Sequence, residues 1–164
     1  MINVELQVED YWGEENDWQT LAESAVIAAL KNSPHLDLIT AQPSIEISIS
    51  FSDDLSVQAL NASYRGKDKP TNVLSFPMVQ ADLISSLSNS DDGEILFGDM
   101  ILAHGVCEQE AADKGIAMKD HATHLIVHAT YHLLGYDHIE DDEAEAMEEL
   151  EITALASMGI ANPY

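Results

Sequence analysis

The chain has 164 residues, of which 46% are hydrophobic, and its 30 acidic residues against six basic ones give a formal net charge of −24. That length and apolar content exclude a disordered chain and predict one domain, 1–164, with a real core. The charge excludes broad electrostatic binding of nucleic acid or anionic lipid, because the field of the whole molecule repels polyanions. Cys107 is the one cysteine, so an internal disulfide is excluded and a reducing compartment fits. The N-terminal residues lack the basic and apolar regions of a signal peptide, and no apolar run approaches the roughly 18 residues of a membrane span. A cytoplasmic protein with no membrane association is expected.

Residues 3–8 alternate apolar and polar side chains and predict a first strand, followed by an amphipathic, alanine-rich helix over 15–30. Ile45, Ile47, Ile49 and Phe51 put every second side chain of 44–51 on one face, a strand with one buried side. Ser52 or Asp53 is placed to cap a short helix that runs to about Tyr64. The run Arg65-Gly66-Lys67-Asp68-Lys69-Pro70-Thr71-Asn72 is turn-rich and predicts a loop. A brief strand over 73–76 is closed by Pro77, and the Ser- and Asp-rich stretch 80–93 reads as a flexible surface loop. A strand over 95–102 precedes three helices, near 104–114, 118–134 and 140–158. The last carries Met147, Leu150, Ala154, Leu155 and Met158 as its apolar stripe. Such an order predicts an α/β (α+β) layer fold, in which Cys107 is a small buried apolar residue.

Residues 128–138 read His-Ala-Thr-Tyr-His-Leu-Leu-Gly-Tyr-Asp-His. His128 and His132, four apart, share one helix face and can grip one metal ion, while Gly135 offers a left-handed helix stop that turns His138 back toward them. Three imidazoles with one open position form the usual catalytic zinc site. The spacing is that of zinc peptidases, but the glutamate those enzymes need after the first histidine is replaced here by Ala129. His124 and His128 are also four apart. The glycine turn favours the 128/132/138 set, leaving His124 to packing or to support of a ligand and His121 exposed. Asp137 is either an acceptor for a ligand's ring nitrogen or a surface aspartate after the turn. His35 and His104 have no partner at ligand spacing, and the acidic run 140–151 reads as the solvated face of a helix.

Arg65, Lys67 and Lys69 fall within five residues and make up half of the basic residues of the chain. Beside a metal in so acidic a protein, they point to an anionic substrate, and the planar fork of Arg65 suits phosphate.

The stretches 60–77, Gly98-Asp99 and 124–138 together resemble the YbeY family of bacterial metal-dependent endoribonucleases that act in ribosomal RNA maturation. The resemblance implies a central, mostly parallel or mixed four-stranded sheet flanked by helices, with a metal in a cleft. It implies one Zn²⁺ per chain held by His128, His132 and His138, and a catalytic role for Arg65. The implied activity is single-strand-specific cleavage in maturation of the 16S 3′ end and in ribosome quality control. The implied partners are the small ribosomal subunit with its RNA and a ribosome-assembly GTPase. Ala129, Tyr131 and Asn72 depart from the family's usual glycine, leucine and aspartate. No general base is evident, and the oligomeric state is not encoded. Two alternatives compete: a zinc-binding assembly factor without hydrolase activity, whose acidity would attract a basic ribosomal protein, and a peptidase or amidase.

Overall fold

A computed structural model describes residues 1–164. Four strands, β1 (Ile2–Val8), β2 (Ser44–Ser52), β3 (Val73–Pro77) and β4 (Glu94–Ala103), form one sheet in the order β1-β2-β4-β3. β1, β2 and β4 run parallel and β3 is antiparallel to β4, so the sheet is mixed. The five α-helices are α1 (Glu15–Lys31), α2 (Asp54–Arg65), α3 (His104–Lys114), α4 (Met118–Leu133) and α5 (Asp141–Ser157).

Ile45, Ile47, Ile49 and Phe51 are all buried on the sheet face covered by α1 and α4, with α5 packed on those two helices, as the period-2 pattern predicts. In β4 the buried side chains switch from Ile95 and Phe97 to Met100 and Leu102. The pairing with β2 skips Phe97, a bulge that moves the inward parity by one residue. The next residue, Gly98, lets α4 lie close: a Cβ there would come within 2.5 Å of Leu133 and 2.9 Å of the Phe76 carbonyl oxygen. On the opposite sheet face Val57, Leu74 and Ala103 form a small second cluster beneath α2.

α2 begins as predicted, with the Asp53 carboxylate accepting from the backbone N–H of Ser56, and ends on Gly66 in the left-handed conformation at φ 68°. The stretch 80–93 differs from its sequence reading. Ala81–Asn89 forms a 3-10 helix, with Ile84 fully buried and Leu87 against the main core. Ile84 and Leu87 are three apart and fall on one side of such a helix, an apolar spacing hidden among serines.

Candidate metal centre

α4 presents His128 and His132 one turn apart, with their Nε2 atoms 3.0 Å from each other. The chain then turns at Gly135, φ 96°, whose missing Cβ leaves room for Ala81. His138 returns on this turn, and the ligand-type atoms of His128, His132 and His138 lie within 4.8 Å of one another. All three line one cleft of about 820 Å³, together with Arg65, Lys67 and Lys69. Thus the two groups read separately from the sequence, some 60 residues apart, face the same space.

The hydrogen bonds behind the rings fix their tautomers. His132 Nδ1 lies 3.0 Å from the Tyr136 carbonyl oxygen, which can only accept, so Nδ1 carries the proton and Nε2 is a bare lone pair. His128 Nδ1 donates in the same way to Glu151 Oε2 at 3.1 Å. Two nitrogens 3.0 Å apart can share a proton or be joined by a metal cation, and three imidazoles so close together are a usual set for such a cation. The donor set therefore fits a divalent metal. Burial, then the positive character of His128 and His138, pushes the His132 pKa down to about 4, which keeps its lone pair free at neutral pH.

Glu151 of α5 is the residue that sequence reasoning missed. It is completely buried, although it belongs to the acidic run expected in solvent. Its Oε1 accepts from His124 Nε2 at 2.8 Å and from the Tyr164 hydroxyl at 2.8 Å, while Oε2 accepts from His128. Burial alone would raise its pKa, but the hydrogen bonds from His124 and His128 prevail and hold the carboxyl down at about 2. A signal was present: residue 151 lies four after Met147 and four before Leu155, inside the apolar stripe.

Two further expectations are corrected. His121 is not exposed; it is buried with its Nε2 2.8 Å from Glu110. Asp137 supports no ring nitrogen, since its carboxylate accepts the backbone N–H of His138. His124 does support a ligand, through Glu151. Its Nε2 is engaged there and its Nδ1 is enclosed without a partner, so neither nitrogen faces the cleft set.

The departures at 131 and 72 have structural partners. Tyr131 is fully buried, and its hydroxyl donates to the carbonyl of Ala29 at 2.9 Å, in the last turn of α1. Asn72 donates from Nδ2 to Glu110 and accepts the backbone N–H of Val73. Cys107 is buried, and desolvation pushes its thiol up to about 12, as an inert apolar side chain requires.

Arg65, Lys67 and Lys69 make no ion pair, although the chain carries 30 acidic residues. The metal set itself gains no fourth His, Cys, Asp or Glu, and its three histidines line the cleft. No helix is long and apolar enough to cross a membrane.

The model of the family described as Endoribonuclease YbeY matches residues 3–159. A protein of Rhizorhabdus wittichii bearing that description is 62% identical over 164 residues, covering 100% of this chain and 97% of its own length. One from Sphingopyxis alaskensis, with the same description, is 53% identical, with 100% and 98% covered. The solution structure of TM1509 from Thermotoga maritima shares the fold at a TM-score of 0.53 and 19% identity, covering 97% of this chain and 92% of that one.

Proposed function

The chain belongs to the YbeY endoribonuclease family, and from that premise we propose that it is a metal-dependent endoribonuclease that cleaves single-stranded ribosomal RNA during maturation. The observation that carries this reading is the cleft itself. The ligand-type atoms of three histidines come together there beside three cations that make no ion pair.

His128, His132 and His138 would hold the metal, and zinc suits three imidazoles with one open side. When bound, such an ion supplies Lewis-acid polarisation of a phosphate oxygen or lowers the pKa of a water. Glu151 and the Tyr136 carbonyl hold the rings of His128 and His132 with their Nε2 lone pairs turned to the cleft. Arg65 donates its paired N–H groups to the phosphate that is cleaved and stabilises the charge that builds on its oxygens. Lys67 and Lys69 draw the neighbouring phosphates into the cleft despite the repulsion of the acidic body. The reading extends to the 16S 3′ end, to ribosome quality control, and to a basic ribosomal protein and a ribosome-assembly GTPase as partners.

Two features argue against the competing readings. Ala129 cannot take the proton that a peptidase's glutamate takes. A structural zinc site would be closed by a fourth protein donor, and no fourth His, Cys, Asp or Glu joins the three histidines that line the cleft with Arg65 and the lysines.

The test is cleavage of single-stranded ribosomal RNA by the purified wild type, Arg65→Ala and His132→Ala. Cleavage by the wild type alone is expected. Equal cleavage by all three would trace the activity to a contaminant, and none by a zinc-loaded wild type would favour the assembly factor.

A further inference from the structure

Tyr64 precedes Arg65 in the last turn of α2, and it is 70% exposed. Its ring meets Phe76 edge to face, with centroids 5.3 Å apart and planes at 64°. Successive helix residues point about 100° apart, and the end of α2 divides two recesses accordingly. Asn61 and Arg65 line the metal cleft. Leu60 and Tyr64 line a second groove of about 640 Å³, shared with Phe76 and Met78 from the β3 side.

We propose that Tyr64 is a stacking platform for one unpaired base of the RNA strand whose phosphate Arg65 holds. The inference rests on the endoribonuclease reading and adds to it a residue that selects single strands. An aromatic ring beside unpaired cations is the chemistry by which proteins take single-stranded nucleic acid, since any base offers a π-face and the backbone offers charge. Contact with Phe76 has already oriented the ring, so little ordering is lost when a base lands on it. The second groove also contains Glu5 and Asp99. These carboxylates admit a neutral base but repel a second phosphate, so the groove seats one base while the backbone stays on the Arg65 side. A base paired inside a duplex keeps its faces stacked on its neighbours and cannot reach Tyr64.

The test is fluorescence anisotropy with two labelled probes, an unstructured single-stranded RNA dodecamer and a 12-base-pair RNA duplex. The proteins are wild type, Tyr64→Ala and Tyr64→Phe. Because Tyr64 is exposed, both variants should keep the wild-type circular dichroism. Tyr64→Ala should bind the single strand about 5- to 150-fold more weakly, with duplex binding unchanged, and Tyr64→Phe should bind like the wild type. In Tyr64→Trp, the added indole should be quenched on addition of the single strand, against the constant signal of Trp12 and Trp18 in the core. Wild-type affinity in Tyr64→Ala would overturn the platform and leave the groove to a protein partner, without touching the endoribonuclease reading. An equal loss on both probes would overturn it too, as a general loss of phosphate binding. A wild type that bound neither probe would overturn the endoribonuclease reading itself, and the platform with it.

Discussion

Glu151 receives three hydrogen bonds while fully buried, and one comes from the ring that turns its other nitrogen to the cleft. A carboxylate in that place fixes the tautomer of His128 and raises its basicity toward a cation. Replacement by glutamine keeps the size and removes the charge. Glu151→Gln should lower zinc affinity about 10- to 100-fold, as read by competition with a chromogenic chelator. Unchanged affinity would mean that the carboxylate only packs. The same residue governs part of the response to acid. Its folded pKa is about 2 against an ordinary 4.5, so its ionised form contributes stability that is complete above pH 4.5 and is lost as pH falls toward 2. The wild type should therefore lose its stability advantage over Glu151→Gln across that window in metal-free urea titrations. A gap independent of pH would count against an ionised Glu151. His132 acts at higher pH: its pKa falls from 6.5 to about 4 in the fold, so its contribution is complete above pH 6.5 and fades as pH drops to 4.

Among the elements, α4 carries most of the site, and its placement depends on contacts made far from the histidines. The Tyr131 hydroxyl donates to the Ala29 carbonyl, one of the last four carbonyls of α1, which the helix cannot pair within itself. Tyr131→Phe leaves that buried acceptor unmet and should cost about 1–3 kcal/mol in denaturant unfolding; no change would mean the carbonyl finds another donor. The strands and all five helices were legible in the sequence to within a residue or two, because alternation and the Asp53, Gly66 and Gly135 signals are local. That His128, His132 and His138 come together was legible for the same reason: one short segment contains all three. Glu151, the burial of His121 and the 3-10 helix at 81–89 were not. Each depends on what a distant element brings against it: the rings of His124 and His128, the Glu110 carboxylate, and the main core that receives Ile84 and Leu87. Whether a charged residue on a helix meets water or a buried imidazole is a tertiary fact, and composition favours water.

For the molecule as a whole, a net charge of −24 coexists with a cleft that, on the proposed function, receives a polyanion. Half of the basic residues stand at that cleft, and none is neutralised by an ion pair. The acidic body repels RNA over distances that salt screens at about 8–10 Å, while attraction is confined to Arg65, Lys67 and Lys69. Neutralising Z phosphates of a single strand gives a slope of about −0.7Z in log affinity against log salt, so these three residues support a slope near −2 at most. Repulsion from the body weakens as salt rises and should flatten the slope further. Binding of an RNA dodecamer measured between 50 and 200 mM salt should thus change by about 20-fold or less, and Lys67→Ala should reduce the slope by about 0.7. A slope of −5 or steeper would require more phosphate contacts than the cleft has cations to make, and the strand would then have to bind elsewhere. A shallow slope leaves base stacking and the metal side of the cleft to supply the rest of the affinity, which ties selection to unpaired strands and not to charge.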